Sequence, residues 1–298
     1  NIGLDTLFLT NVSFLNSLGG SFNSTYPPFI LPANTGRVKV IISPTVADTV
    51  RALVSISSND CDASPYQFLI EGVAQNFAGA LHFDGTNDYV DIPSSAANSL
   101  TNTWTLEGWF KPDALPATWQ ALIAKDEIPW PASLWLNGPN VEIWFGASGT
   151  ASLVSVQTLN VGEWVHLAAM FDHGDMRLYI NGVLDNQVAY VGATPTSPTP
   201  YHLGYGETTY YYQGEMDEVR IWNRPRNLNE IQSTLTCELD GDECNLVHYF
   251  NFNNPAAFPG QANPTQVVAG DSALTANGTL VNFALTGNTS NWVLQSDS

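Results

Sequence analysis

The chain has 298 residues, of which 44% are hydrophobic and 11% aromatic, enough to bury one large β core or two smaller ones. Asp and Glu outnumber Lys and Arg 28 to 9, which gives a net charge of −19. This balance argues against nucleic acid and anionic membrane surfaces as partners, because both attract clustered Lys and Arg. No apolar run approaches the roughly 20 residues of a membrane helix, and the excess carboxylates suit Ca²⁺.

The first 76 residues are predicted to form a small β-sandwich. Short alternating runs such as RVKVIISP and VRALVSISSN are separated by turn residues, and none shows helical periodicity. The stretch from Pro27 to Ala74 resembles the immunoglobulin-like repeats of the ASPM/SPD-2/hydin type, with Asp48 where those repeats often have Gly. The resemblance implies a spacer domain whose first strand lies near or before Asn1, so that the domain is clipped at its N-terminus.

A junction of small residues follows at 75–79, and residues 77–298 are predicted to form the second unit. Nearly all of this unit consists of short alternating runs separated by Gly, Pro or Asn-Asp, a pattern typical of strands. The exception is NLNEIQSTL at 227–235. This segment is predicted to be helical because Leu228, Ile231 and Leu235 share one face.

The stretch 162–182 predicts a β-hairpin. Residues 164–171, WVHLAAMF, alternate between two faces with the period of two that a strand requires. HGD at 173–175 breaks this run before a second strand, and Asn181-Gly182 supports the positive φ angles of a tight turn.

Five motifs in chain order resemble the laminin-G-like, concanavalin-A-like jelly-roll domains. They are FDG-x-x-DYV, W-T-x-E-x-W, W-x-H-x-A, L-Y-x-N-G and G-x-M-D-E-V-R-I-W-N-R, and they cover roughly Ala80 to Phe252. The resemblance implies an all-β chain in which a small immunoglobulin-like sandwich precedes a concanavalin-A-like jelly-roll sandwich. It also implies a fold that usually holds ligands and rarely catalyses reactions.

One segment raises the alternative of a glycoside hydrolase. EMDE at 215–218 resembles the E-x-D-x-x-E or E-x-D-x-E line of jelly-roll glycosidases, in which two carboxylates lie about 5 Å apart for retention. The third carboxylate should fall at Val219 or Arg220, and neither side chain can take its role. No residue is therefore assigned a catalytic role, and the chain is predicted not to be an enzyme.

A calcium site is predicted from Asp84, Asp88 and Asp217. The first two lie in a glycine turn after a strand, and the third comes from the late strand that this fold places beside the first. Carboxylate and backbone carbonyl oxygens are the ligands that Ca²⁺ prefers, and the laminin-G-like resemblance implies such a site in many members. The alternative is that Asp84 and Asp88 only hydrogen-bond the amides of their own turn.

The three cysteines indicate an oxidising compartment. Cys237 and Cys244 bracket the short acidic loop CELDGDEC and are predicted to close it as a disulfide, which leaves Cys61 free. A disulfide, together with few lysines, suggests an extracytoplasmic setting.

Two segments rich in aromatic residues are predicted to be ligand-binding loops. EIPWPASLW presents Trp130 between prolines, and YGETTYYYQG presents Tyr210, Tyr211 and Tyr212. Flat aromatic faces suit sugar rings, although a tyrosine run is also common in ordinary edge strands. The tryptophans of the alternating strands are instead predicted to fill the core, namely Trp104, Trp109, Trp144, Trp164 and Trp222.

These features predict an extracellular ligand-binding or adhesion module, assisted by Ca²⁺, within a larger bacterial protein that is secreted or displayed at the cell surface. Its expected partners are an extracellular polysaccharide or cell-surface glycan and the neighbouring domains of the same parent chain. Neither nucleic acid nor direct membrane insertion is expected. Two alternatives stay open: a structural stalk with no ligand, and a glycoside hydrolase of the jelly-roll type.

Overall fold

The computed structural model describes residues 5–18, 20–44, 49–60, 64–73, 79–95, 99–126, 129–146, 151–207, 209–253, 267–268 and 277–293. The chain divides into two compact units, residues 1–76 and residues 77–298. Strands dominate both units, which confirms the all-β prediction. The described residues contain no helix long and apolar enough to cross a membrane.

The N-terminal unit is built from strands β1 Leu7–Leu18, β2 Gly20–Thr25, β3 Phe29–Ile30, β4 Lys39–Pro44, β5 Thr49–Ser58 and β6 Tyr66–Val73. Its larger sheet has the strand order β3-β1-β5-β6, and its smaller sheet pairs β2 with β4. Val50, Ala52 and Val54 alternate along β5 and are buried, and the Phe14 and Phe22 rings, one from each sheet, lie 5.6 Å apart. The assignment of this unit to the immunoglobulin-like repeats stays a prediction.

The C-terminal unit consists of strands and one short helix. In chain order they are β7 Ala80–Asp84, β8 Tyr89–Ile92, β9 Thr103–Pro112, β10 Trp119–Lys125, β11 Trp130–Asn137, β12 Asn140–Gly146, β13 Ala151–Val154, β14 Val165–Asp172, β15 Asp175–Ile180, β16 Val183–Ala189, β17 Tyr201–Leu203, β18 Tyr205–Gly206, β19 Tyr210–Tyr211, β20 Gln213–Trp222, α1 Leu228–Ser233, β21 Leu246–Phe250, β22 Val267–Val268, β23 Gly278–Val281 and β24 Asn291–Val293.

Two antiparallel sheets of eight strands form the body of this unit. The aromatic sheet has the strand order β13-β12-β11-β10-β17-β8-β23-β22. The helix-side sheet has the order β16-β15-β14-β9-β20-β7-β24, with β21 also paired to β20. The short strands β18 and β19 form a separate hairpin.

The core lies between the two sheets because apolar side chains occupy alternate positions along the strands. Val141, Ile143 and Phe145 of β12 face inward from the aromatic sheet, and Leu167 and Phe171 of β14 face inward from the helix-side sheet. Burying a side chain of this size contributes about 1.5–3 kcal/mol. The predicted sandwich is confirmed.

The predicted central hairpin is confirmed as β14 and β15. Phe171 pairs with Met176, and the turn between the strands has positive φ angles of 47° at His173 and 102° at Gly174. The following turn to β16, at Asn181-Gly182, has φ angles of 50° and 68°, the conformation that the Asn-Gly pair favours.

The outer face of the helix-side sheet is covered by the segment around α1. Asn227 caps the helix, since its side chain accepts the N–H of Glu230 at 3.1 Å and Glu230 accepts the N–H of Asn227 at 2.8 Å. Ile231 packs in a buried cluster with Met170 and its neighbours. The predicted helix is confirmed, although it ends at Ser233.

A buried charge cluster fixes the same segment against the sheet. Glu107 is fully buried, and its Oε1 accepts hydrogen bonds from Trp222 Nε1 at 3.0 Å and from Arg226 Nη1 at 2.5 Å. Arg220 Nη2 donates to the carbonyl oxygen of Cys237 at 2.8 Å. The α1 segment therefore packs on the outer face of the helix-side sheet, whereas the outer face of the aromatic sheet carries half-exposed rings.

Candidate functional site

Three half-buried tryptophan rings form a stack on the outer face of the aromatic sheet. Trp144 of β12 is the central ring. Trp130, at the start of β11, stacks on it with ring centroids 5.1 Å apart and an interplanar angle of 26°. Trp119, at the start of β10, stacks on it at 5.3 Å and 28°. Three neighbouring strands thus contribute one ring each to a continuous aromatic surface.

The strand period places these rings outside the core. Along β12, Val141, Ile143 and Phe145 point inward, so Glu142 and Trp144 point outward. Trp135 of β11 lies beneath the stack, 1% exposed. Its Nε1 donates to Ser133 Oγ at 2.8 Å. The half-exposed rings of Trp119 and Trp144 therefore pack against a buried side chain whose orientation is fixed by a hydrogen bond.

The β18–β19 hairpin lies on the same outer face, beside the tryptophans. Gly206 permits this close approach, because a Cβ atom there would lie 2.5 Å from Trp135 Cη2 and 3.1 Å from Ala121 Cβ. Tyr210 meets Trp135 edge-on at 6.2 Å. The hairpin extends the aromatic surface sideways from the tryptophan stack.

A second group of rings continues from this hairpin. Tyr211 stacks on Tyr205 at 5.0 Å, and Tyr205 contacts Tyr89 at 4.9 Å and His202 at 5.1 Å. The Tyr205 hydroxyl donates to Asp126 Oδ2 at 3.1 Å. Burial, reinforced by the Asp126 charge, raises the pKa of Tyr205 to about 12, so the hydroxyl keeps its proton at neutral pH.

We call this whole surface the aromatic face. Its half-buried rings are Trp119, Trp130, Trp144, Tyr89, Tyr205, Tyr210 and Tyr211. Carboxylates of Asp91, Asp126, Glu142 and Glu207 border these rings. Rings with hydroxyls and carboxylates beside them can pack against an apolar ligand surface while accepting its hydroxyl protons.

The structure brings three of the four predicted ligand residues to this face. Trp130, Tyr210 and Tyr211 lie on it. The prediction for Tyr212 is wrong, because its ring is fully buried between Phe83 and Phe110. Tyr212 lies between β19 and β20, where its N–H donates to the carbonyl oxygen of Gly204 at 2.9 Å and its ring belongs to the core.

Four rings of the face, Trp119, Trp144, Tyr89 and Tyr205, were not among the predicted ligand residues. Trp144 was predicted to fill the core, and it instead lies outside, because the neighbouring Ile143 and Phe145 hold the core positions. Trp119 was given no role. Among the other predicted core tryptophans, Trp104 and Trp222 are buried, whereas Trp109 and Trp164 are half-buried.

Asp84 and Asp88 lie together in the turn after β7. Asp84 Oδ1 accepts the N–H of Thr86 at 2.7 Å, and Asp88 Oδ2 accepts the N–H of Asp84 at 3.0 Å. The alternative, in which these carboxylates bond turn amides, is therefore observed. Asp88 is also fully buried, and its Oδ1 has no hydrogen-bond partner. Burial raises the pKa of Asp88 to about 6, against the lowering effect of hydrogen bonds from the Ser290 side chain and the Asp84 N–H. An unsatisfied buried oxygen of this kind is suited to a cation.

Asp217 does not join this pair. Gln213 of β20 is the register partner of Asp84, and Asp217 lies four residues further along, about 13 Å away at about 3.3 Å per residue. Its Oδ1 accepts the N–H of Glu218 at 2.8 Å. Among the residues that the structure describes, no group of three His, Cys, Asp or Glu is arranged to hold a metal ion. The predicted grouping of three carboxylates is not formed, and calcium at the Asp84–Asp88 turn stays a prediction.

The carboxylates of the glycosidase-like segment are engaged in packing. Glu215 pairs with Lys111, with Nζ 3.0 Å from Oε1, and both side chains are mostly buried. Asp217 is 4% exposed, and burial, followed by the charge of Glu218, raises its pKa well above the usual range. Met216, between them, belongs to the core.

The predicted disulfide is not formed. Cys237 and Cys244 are both free and exposed. The loop between them is closed instead by Glu243, whose carboxylate accepts the N–H groups of Asp240 at 2.9 Å and Gly241 at 3.0 Å. Cys61 lies outside the described residues.

A laminin-G family model, described as the concanavalin A-like lectin/glucanases superfamily, matches residues 84–232, half of the chain. The chain belongs to this superfamily. The match contains the tryptophan stack, the β18–β19 hairpin and the central hairpin, so the aromatic face lies within the part that defines the family. No curated protein sequence matches the chain.

Solved structures similar to this chain include a protein from Bacteroides ovatus ATCC 8483 to which carbohydrate binding has been ascribed. It has a TM-score of 0.56 and 14% identity, and the match covers 94% of this chain and 92% of that one. A heptameric SAP-like pentraxin from Limulus polyphemus matches with a TM-score of 0.44 and 13% identity, over 53% and 82% of the two chains. The carbohydrate-binding module, of the CBM40 type, of the Ruminococcus gnavus IT-sialidase, bound to α2,3-sialyllactose, matches with a TM-score of 0.45 and 12% identity, over 52% and 95%. At such identities the likeness concerns the fold alone.

Proposed function

We propose that residues 77–298 bind a glycan on the aromatic face without turning it over, within a larger protein that is secreted or displayed at the cell surface. The stack of Trp119, Trp144 and Trp130 carries this proposal. Large apolar rings are normally buried, and half-exposed tryptophans gathered on one sheet face are typical of a recognition surface. The carbohydrate binding ascribed to the Bacteroides ovatus protein of similar fold is consistent with this role.

The chemistry of the face suits a sugar polymer. The flat indole rings offer apolar contact to the C–H faces of sugar rings, and the nearby tyrosine hydroxyls and carboxylates offer hydrogen bonds to sugar hydroxyls. An open surface with a few such contacts gives modest affinity, about −8 to −4 kcal/mol, which corresponds to micromolar to millimolar Kd. Several copies on one cell would add avidity.

Binding without hydrolysis is supported by the state of the two candidate carboxylates. A glycosidase needs a carboxylate pair that faces an open groove. Glu215 is held by Lys111, and Asp217 is almost fully buried on the opposite sheet from the aromatic face.

Calcium at the turn of Asp84 and Asp88 belongs to the same proposal. The buried Asp88 Oδ1, which has no hydrogen-bond partner, supports it. These two side chains, with carbonyl groups of their turn, would hold the ion, which would neutralise buried charge and stiffen the turn.

The test is affinity gel electrophoresis of the full chain in gels that contain one polysaccharide each, with calcium present. We expect at least one polysaccharide to retard the wild-type chain, and Trp130→Ala to weaken its retention at least tenfold, about 1.4 kcal/mol. Trp164→Ala is the matched control, because Trp164 is also half-buried but lies off the aromatic face. Retention should survive in this control.

Two outcomes would contradict the proposal. Failure of every polysaccharide and every glycan of an array to bind the wild-type chain would favour a stalk with no ligand. Release of reducing sugar that Glu215→Gln abolishes would favour the hydrolase.

A further inference from the structure

We infer that the aromatic face selects uncharged glycans and excludes acidic ones. This inference rests on the proposed function and concerns the same surface. It follows from the signs of the charges on the face, which include four carboxylates and no Lys or Arg. The observations that carry it are the positions of the positive side chains in this unit.

All nine Lys and Arg residues of the sequence lie among the described residues, and six of them belong to residues 77–298. Each of the six has a partner away from the aromatic face. Five lie on the helix-side sheet or beside α1, and their partners are Glu215 for Lys111, Asp175 for Arg177, Glu218 for Arg220, Glu230 for Arg224 and Glu107 for Arg226.

Lys125 is the sixth, and it is the one positive side chain among the described residues of the aromatic sheet. It is 1% exposed, and its Nζ donates to the carbonyl oxygen of Ser197 at 3.0 Å. The same Nζ lies over the ring of Tyr201, a core residue, at 4.6 Å from the centroid. Lys125 is therefore turned inward and cannot reach a ligand on the outer face.

The histidine of the face adds no positive charge at neutral pH. His202 lies against Tyr89 and Tyr205, with its Nε2 3.2 Å from Asp91 Oδ1. Burial lowers the pKa of His202, and this effect outweighs the nearby charges of Asp91 and Asp126. The imidazole is thus neutral where a ligand would approach.

Carboxylates lie at both ends of the face. Glu142 is two residues before Trp144 on the same side of β12 and is paired across the ladder with Trp135. Glu142 is 6% exposed, and its oxygens accept hydrogen bonds from Asn137 Nδ2 at 3.0 Å and from the Ser152 hydroxyl, so it acts on a ligand through its charge. Asp126, at the other end of the face, accepts a hydrogen bond from the Tyr205 hydroxyl.

This pattern decides between ligand classes. A carboxylate or sulfate on a sugar would meet like charges across partly desolvated rings, with no Lys or Arg to pair with it. A neutral sugar instead offers hydroxyl donors, and hydrogen bonds from hydroxyls to ionised carboxylates are the strong, charge-assisted kind. The face therefore has acceptors for hydroxyl groups and lacks donors for acid groups.

The experiment compares a neutral polysaccharide that retards the chain with the carboxymethylated derivative of the same polymer. The two probes share a backbone and differ in charge. We expect the derivative to bind at least tenfold more weakly in 0.01 M NaCl. The difference should shrink in 1 M NaCl, because the Debye length falls from about 30 Å to about 3 Å.

Variants locate the source of the discrimination. Glu142→Gln and Asp126→Asn each keep the side-chain shape and an acceptor oxygen and remove one negative charge. We expect each variant to reduce the gap, meaning the ratio of affinities for the neutral and the carboxymethylated polymer, about threefold. Asp242→Asn removes the same charge from the exposed loop after α1 and should leave the gap unchanged. Melting temperatures show whether each variant is folded. If Glu142→Gln does not fold, Asp126→Asn alone tests the role of the carboxylates.

The outcomes separate this inference from the proposed function. Equal binding of the neutral and carboxymethylated polymers in low salt, or retention by acidic polysaccharides alone, would overturn the inference and leave glycan binding standing. An equal gap in Glu142→Gln, Asp126→Asn and the wild type would also overturn it. Failure of all polysaccharides to bind would instead remove the proposed function.

Discussion

The indole ring of Trp130 stacks on that of Trp144 with their centroids 5.1 Å apart, although the two residues belong to different strands. On the far side of Trp144 the ring of Trp119 repeats the arrangement at 5.3 Å. The central ring therefore orients both outer rings. Removing it should disturb the whole stack, whereas removing an outer ring leaves the other pair intact.

Trp144→Ala is predicted to weaken glycan retention more than either Trp119→Ala or Trp130→Ala. The cost in stability should be smaller than for Trp104→Ala, because Trp104 is fully buried and truncation of such a ring costs about 3–5 kcal/mol. Affinity electrophoresis and urea unfolding measure the two effects. Retention of Trp144→Ala equal to that of the wild type would contradict the role of the stack.

Gly206→Ala should lift the β18–β19 hairpin away from the aromatic sheet. The added methyl would lie 2.5 Å from Trp135 Cη2, and overpacking of this kind costs about 1–3 kcal/mol. We expect weaker glycan retention and a lower melting temperature. Thr209→Ala, in the exposed turn of the same hairpin, is the control and should change neither quantity.

Glu107→Gln should destabilise the C-terminal unit by about 3–5 kcal/mol, because it leaves the buried guanidinium groups of Arg226 and Arg220 without their shared carboxylate. Urea unfolding measures the loss. Asp242→Asn, an exposed change of the same charge, should lie within about 0.5 kcal/mol of the wild type. A stable Glu107→Gln would show that the cluster is held by packing alone.

Acid should weaken the fold through its buried histidines. Burial lowers the pKa of His166 to about 4, with Arg220 and Arg226 acting in the same direction, against 6.5 when unfolded. The stability from keeping this ring neutral is present above pH 6.5 and is lost as the pH falls towards 4. The full loss is about 3 kcal/mol.

This prediction is measured as the unfolding free energy at pH 7.5 and at pH 4.5. The fall should be smaller in His166→Gln than in the wild type, with part of the remainder due to His248, whose pKa burial also lowers to about 4. Equal falls in both proteins would show that His166 does not carry the effect.

Calcium should raise the melting temperature of the wild type, and a chelator should reverse the rise. An ion that binds only the folded state stabilises it by about 2.7 kcal/mol at a hundredfold excess over Kd. Asp88→Asn should abolish the rise. Asp217→Asn should keep it, because Asp217 lies about 13 Å along β20 from the register partner of Asp84. Loss of the rise in Asp217→Asn alone would contradict the Asp84–Asp88 site.

Local patterns determined much of the fold in advance. The alternation of WVHLAAMF and the Asn181-Gly182 pair predicted the β14–β15 hairpin and the turn after it, because the strand period and positive φ angles are properties of short segments. The α1 segment was equally readable, since the shared face of Leu228, Ile231 and Leu235 is a local property. The segments EIPWPASLW and YGETTYYYQG, with their Pro and Gly residues, also identified Trp130, Tyr210 and Tyr211 as ligand-binding residues.

The site itself was decided by the tertiary structure. Whether Trp144 or Ile143 faces the core depends on which face of the aromatic sheet packs against the helix-side sheet. Whether Tyr211 or Tyr212 points outward depends on where the β18–β19 hairpin packs against the strands before it in sequence. The same holds for Asp217, which the fold family places on a strand near Asp84 but which the register sets too far along it. The sequence by itself determined which segments are strands and turns, through periodicity and backbone preference. Only the tertiary structure determined which rings share a surface, because that choice is made by pairing and packing between remote strands.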